Sequence, residues 1–143
     1  MWRRNHMKLC SACLLGLKCR YDGNAKPDEK VLKLAKEEVL IPVCPEQLGG
    51  LSTPRKPAEQ QGEKVVRENG EDVTENFNRG GQQVLEIAKL LNIKTAILKQ
   101  RSPSCGCGQI YDGTFSRTII VGDGVTAKLL KENGIVVLSE DDL

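Results

Sequence analysis

Aromatic residues make up only 3% of this chain, and histidine occurs once, at His6. So few Phe, Tyr and Trp argue against a base-stacking platform for single-stranded nucleic acid. The lone imidazole lies in the opening segment, where a Ser-His-Asp or Cys-His system would depend on a poorly anchored base. Acid–base work therefore falls to carboxylates and hydroxyls. An excess of one charge is also missing, since 21 Lys+Arg against 19 Asp+Glu leave +2. That is neither the basic surplus of a phosphate-tracking protein nor an acidic tail, and a nucleic-acid polymer is not the expected partner. No apolar run approaches the roughly 18 residues of a membrane span, so no membrane association is expected, and the chain has no internal repeat.

What the chain does contain is cysteine, six residues in 143. Its opening, Met1-Trp2-Arg3-Arg4-Asn5-His6-Met7, leads into a strand-like run rather than a signal-peptide core. The expected compartment is the cytoplasm, where structural disulfides are disfavoured, so metal binding or thiol chemistry becomes the leading account of the thiols. The length and 39% hydrophobic content suit one compact domain. Residues 1–7 are expected to be a disordered extension and 8–143 a single α/β cluster-binding domain.

Residues 8–13, 39–44, 93–98 and 135–138 are short apolar runs of strand length. Pro42 cannot donate to a ladder, which places the second run at an edge or a bulge. Asp28 caps a helix reaching about residue 38, and Phe77, Val84, Ile87, Ala88 and Leu91 trace one face of a long helix that Asn92 ends. Asp72 with Glu75 has capping-box spacing at its start. Gly80-Gly81 inside it predicts a kink or a close packing contact, and a last helix opens at Gly122-Asp123-Gly124. Residues 51–63 read as a loop or lid, while 64–67 with 72–73, and 110–113 with 118–121, read as small hairpins. Strands alternating with helices predict a single three-layer, Rossmann-like α/β domain around a mostly parallel sheet.

Cys13, Cys44 and Cys105 each sit at the carboxyl end of a separate predicted strand, the edge of an open parallel sheet where ligands collect. Three thiolates brought together there make a cluster or metal pocket that keeps one coordination position for substrate. The competing reading is that each is a buried small hydrophobe, which is the preferred reading for Cys10, inside the first strand. Cys19 stays open between a fourth ligand, a supporting thiol and a structural residue, and Cys107 reads as peripheral. Cys10 and Cys13 also have redox-pair spacing, which keeps a thiol redox protein as an alternative beside a non-catalytic metal-binding module. Glu46, two residues past Cys44, is the best-placed acid/base. Ser102 and Ser104 are either turn residues around Pro103 or ligand-facing hydroxyls. Arg20, Tyr21, Asp22 and Arg55 are candidates to orient a polar heterocycle, or else surface residues.

The stretches 11–16 with 19–23, 42–51, 54–55, 72–74, 102–106, 110–113 and 122–126 include Ser11-Ala12-Cys13-Leu14-Leu15-Gly16, Pro42-Val43-Cys44-Pro45-Glu46 and Ser102-Pro103-Ser104-Cys105-Gly106. Together they resemble the small bacterial domain family that includes thiouracil desulfidase, from about residue 8 to the end. The resemblance implies a [4Fe-4S] cluster held by Cys13, Cys44 and Cys105, with the fourth iron open to the sulfur of a small thiolated base. It implies non-redox carbon–sulfur cleavage that releases sulfide while water supplies the oxygen. Glu46 would be the acid/base and Ser102 a proton-relaying or orienting hydroxyl, with Tyr21, Asp22, Arg55 and Ser104 as candidate substrate contacts. The chain departs from the family pattern in carrying Cys10 and Cys107.

Overall fold

A computed structural model describes residues 7–143 of the protein. The extension expected over 1–7 lies outside the described residues except for Met7, which opens the first strand. In chain order the elements are β1 (Met7–Ser11), α1 (Glu29–Leu34), β2 (Val39–Val43), α2 (Pro45–Leu48), β3 (Ala58–Gln61), β4 (Lys64–Arg67), α3 (Thr74–Leu91), β5 (Thr95–Leu98), β6 (Gln109–Tyr111), β7 (Ile119–Val121), α4 (Val125–Glu132) and β8 (Val136–Ser139). Four of these make one parallel sheet in the order β2-β1-β5-β8, and β3-β4 and β6-β7 are separate antiparallel hairpins. No helix among the described residues is long and apolar enough to cross a membrane.

Side chains alternate across a strand, so the central sheet has two apolar faces to cover. Leu9, Ala96 and Leu98 pack against Val84, Leu85 and Ala88 of α3 and Ala127 and Leu130 of α4. On the opposite face, Cys10 and Ile97 meet Val31 of α1 and the 3-10 turn Ala12–Leu15. The outcome is the three-layer, Rossmann-like arrangement expected from the alternation of elements. A third cluster, Leu51, Val65, Val73 and Phe77, seats the β3-β4 hairpin on the start of α3.

The diglycine of α3 is a packing device. A Cβ on Gly80 would overlap the Pro45 carbonyl oxygen, and one on Gly49 would overlap the Asn76 carbonyl, so α2 and α3 touch backbone to backbone. Gly81 does the same service toward α4, where a Cβ would come 3.3 Å from Thr126 Oγ1. Since α2 begins directly after Cys44, this contact fixes where β2 empties.

Several expected boundaries shift. β1 stops at Ser11, because residues 12–15 turn into a 3-10 helix closed by Gly16 at φ 99°. Asp28 caps α1 as expected, accepting from Lys30 and Val31 N–H, but the helix ends at Leu34 rather than 38. The expected lid over 51–63 contains a strand, since Ala58–Gln61 pairs with Lys64–Arg67 across a tight turn at Gly62-Glu63. The hairpin partner is thus the preceding segment, and 72–73 keeps only a bridge from Asp72 to Val66. No capping box forms at α3, where Asp72 accepts instead from the N–H and hydroxyl of Thr74. Pro42 does lie on the edge strand.

Gly80→Ala tests the α2–α3 contact. Overpacking against backbone should cost about 3 kcal/mol, more than the roughly 1 kcal/mol that alanine adds in helix propensity, so chemical denaturation should show net destabilisation.

Candidate active site

The carboxyl ends of β1, β2 and β5 open into a cavity of about 630 Å³. Cys13 reaches it from the 3-10 turn after β1, Cys44 from the junction of β2 and α2, and Cys105 from the loop after β5. Cys19 is the fourth thiol on the wall, whereas Cys10 and Cys107 do not line it. Cys10 points its thiol at the Ser11 carbonyl, 3.6 Å away, and is fully buried. Cys107 points at the Val137 carbonyl. All six cysteines are free.

The Cys105 loop is pinned on every side. Ser102 Oγ accepts from the N–H groups of Ser104 (3.2 Å) and Cys105 (3.1 Å). Thr126 and Ala127 N–H donate to the Ser104 carbonyl, joining the loop to the first turn of α4. A Cβ on Gly124 would overlap Ser104, so glycine is needed for that approach. Gln60 Nε2 donates to Pro103 O and Asp123 O, both at 2.9 Å, and the Gln100 amide bridges the two backbone groups of Cys107.

Arg55 is the second brace. Its side chain is 3% exposed and donates through Nε to Glu46 Oε1 at 3.0 Å, and otherwise to the Cys19 carbonyl (2.9 Å), Thr53 Oγ1 (2.9 Å) and Ser52 O (3.2 Å). Arg55, a candidate substrate contact, lines the cavity while giving these bonds to the protein itself. Glu46 Oε2 remains for the Ser104 hydroxyl at 3.4 Å, and Ser104 Oγ lies 3.0 Å from Ser102 Oγ and 3.5 Å from Cys105 Sγ. A continuous polar path thus runs from Ser102 through Ser104 to Glu46 and Arg55. Ser104, buried at 1% exposure, is its middle link.

Tyr21 lines the cavity, with the Arg20 guanidinium 5.6 Å from its ring centre. Asp22 does not: its carboxylate closes a local turn by accepting from Asn24 N–H at 3.0 Å, which also holds it below the ordinary carboxylate range. Sequence reasoning missed Tyr111 and Phe115, which the β6-β7 hairpin brings to the wall. Three of the five aromatic residues in the chain therefore face this one cavity. The concentration of scarce aromatics is a signal only once the hairpin is placed.

Burial and mutual contact act on the thiols of the cavity and on Cys10 in the adjoining sheet. Burial pushes Cys105 up to about 11 and Cys10 to about 12. A hydrogen bond with Cys13 raises Cys19, and a hydrogen bond with Cys19, together with burial, raises Cys44. Among the described residues, no three His, Cys, Asp or Glu side chains surround a single ion position. A polynuclear iron–sulfur cluster takes its thiolates on different irons, so thiols entering one cavity from three strand ends suit it.

A family model described as 2-thiouracil desulfurase matches residues 9–142. A protein of Bacillus subtilis (strain 168), described as uncharacterized protein YbbK, is 48% identical over 147 residues, spanning 96% of this chain and 97% of its own length. A solved structure described as [4Fe-4S]-dependent thiouracil desulfidase TudS superposes with a TM-score of 0.91 at 47% identity, covering 96% of this chain and 92% of that one.

Arg55→Met would leave Glu46 and the Cys19 carbonyl without their buried donor. Thermal or chemical unfolding should show a loss of about 3 kcal/mol, and Arg55→Lys should not restore it, because an ammonium cannot span the same fork of acceptors.

Proposed function

This chain belongs to the 2-thiouracil desulfurase family, and from that premise we propose that it is an iron–sulfur-dependent desulfidase acting on a thiolated nucleobase of the thiouracil type. The observation that carries the reading is the convergence of three free strand-end thiols and a braced carboxylate on one cavity. The net reaction converts a thiocarbonyl and water into a carbonyl and hydrogen sulfide, with no electrons gained or lost.

Cys13, Cys44 and Cys105 are the residues that would hold a 4Fe-4S cluster. When bound, the cluster supplies one iron without a protein ligand, a Lewis acid for the sulfur of the thiocarbonyl. The remaining work falls to side chains. Arg55 fixes Glu46 Oε1, so Oε2 is the atom that takes a proton from the attacking water and returns one toward the departing sulfur. Ser104 extends that carboxylate by one hydroxyl able to donate and accept, while Ser102, whose Oγ already accepts from two N–H groups, donates to Ser104 and orients it. Tyr21, Tyr111 and Phe115 line the same cavity and supply apolar rings on which a flat heterocycle can pack.

Two other readings give way to this one. A non-catalytic metal-holding module gives way because the family model and the solved structure that the chain resembles are both described by desulfurising activity. A redox pair of Cys10 and Cys13 would need both thiols in reach of a partner, and Cys10 is sealed in the sheet. Six reduced thiols suit the reducing cytoplasm, which we take as the compartment of action.

Anaerobic reconstitution should give a brown protein. Cys13→Ala, Cys44→Ala and Cys105→Ala should each lose the broad visible absorption and bound iron, whereas Cys10→Ala and Cys107→Ala should keep both. Glu46→Gln should retain its iron but release sulfide from 2-thiouracil on the order of 100-fold more slowly or worse. Wild-type protein that stays colourless and iron-free would overturn the reading.

A further inference from the structure

Ser11 closes β1 and lines the cavity, and the polar path from Ser102 to Glu46 does not include it. It is 3% exposed, and its Oγ accepts the Lys99 N–H at 2.8 Å where β1 and β5 run out side by side. Parallel pairing sets that contact, since Cys10, the residue before Ser11, stands opposite Ile97. A hydroxyl carries one proton and two lone pairs. The Lys99 bond uses a lone pair and leaves the proton unspent, and a buried donor without an acceptor is costly.

The acceptor in reach is Cys105 Sγ, at the centre of the same wall. The Ser11 hydroxyl is hydrogen-bonded to that thiol, a contact that opposes the upward push of burial on it. Ser104 Oγ also lies beside this sulfur, at 3.5 Å, but its single proton is directed to Glu46 Oε2. Among the described residues no carboxylate accepts from Ser11, so its proton is left for Cys105.

The other two candidate ligands are served differently. Cys44 Sγ faces the Cys19 carbonyl oxygen at 3.7 Å, and an oxygen acceptor has no proton to offer a thiolate. Cys13 meets the thiol of Cys19. Cys105 is thus the ligand with a serine hydroxyl committed to it.

We propose that Ser11 is a positioning residue for Cys105: its hydroxyl, held by the Lys99 N–H, donates to the Cys105 sulfur when that sulfur is an iron-bound thiolate, an inference that rests on Cys105 holding a 4Fe-4S cluster. Such a bond draws electron density from the sulfur and favours the reduced cluster, because hydrogen bonds to ligand sulfurs are among the factors that set cluster potential. The same withdrawal leaves the irons poorer in electrons and so better Lewis acids for a thiocarbonyl sulfur.

A mediated redox titration followed by electron paramagnetic resonance, on the full chain reconstituted anaerobically and matched for iron content, tests it. Ser11→Ala should shift the reduction potential of the cluster below that of wild type, and Ser11→Thr, which keeps the hydroxyl, should bring it back. A residue that only held the Lys99 N–H would change stability without this shift in potential. Resonance Raman spectroscopy of wild type needs no variant: an Fe–S(Cys) stretching band should move when the protein is exchanged into D2O. Equal potentials in wild type and Ser11→Ala, a Ser11→Thr potential as low as that of Ser11→Ala, or wild-type Fe–S(Cys) bands indifferent to D2O would each overturn the proposal and leave the desulfidase reading standing. Wild type that binds no iron would overturn both.

Discussion

Parallel pairing of β1 with both β2 and β5 is the constraint on which the rest depends. β1 lies between the other two, with Ser11 opposite Val43 and Cys10 opposite Ile97. Strands in such a sheet sit roughly 4.8 Å apart, so residues that follow their carboxyl ends are neighbours whatever their separation in sequence. Cys44 follows Val43 directly, Cys13 lies two residues past Ser11, and Cys105 returns by a loop. The cavity stands where the chain leaves β1 for β2 on one side and later reaches β5 on the other, the switch point at which open α/β sheets bind ligands.

Thiols at a sheet edge need a surrounding that keeps them in place, and most of the polar contacts near the cavity serve that end. The serine loop is held by its own hydroxyl, by Gln60 and by α4, while Arg55 ties Glu46, the Cys19 carbonyl and residues 52–53 into one unit. The diglycine contact sets α2, and with it Glu46, against the longest helix. A site built this way holds its reacting groups in position before substrate arrives, the arrangement that electrostatic and proton-transfer catalysis require.

Much of this was legible in the sequence because periodicity and chain breaks carry it. The four core strands, the long helix ending at Asn92, the Asp28 cap and the three strand-end cysteines all follow from local patterns, and the family resemblance supplied the chemistry those cysteines suggest. What stayed hidden depends on partners distant in sequence. Nothing near residue 55 says that its guanidinium turns inward to Glu46 and the Cys19 carbonyl, and nothing near residue 22 says that Asp22 closes a turn instead of facing the cavity. The strand at 58–61 was masked by polar Glu59-Gln60-Gln61, which lack apolar alternation because Glu59 and Gln60 instead hold Gly113 and Pro103. Ser102 was expected as the proton-relaying or orienting hydroxyl and Ser104 as a substrate contact, and only the fold shows that Ser102 caps the loop while Ser104 is the buried link to Glu46.

The claim at the centre is that three protein thiolates leave one iron of a bound cluster open to the substrate sulfur. Mössbauer spectroscopy of the protein reconstituted with enriched iron, recorded with and without 2-thiouracil, tests it most directly. The account predicts a minor iron component distinct from the thiolate-bound majority, whose parameters move when the thiolated base is added and stay still with uracil. One uniform class of iron indifferent to both bases, or no bound cluster, would contradict it.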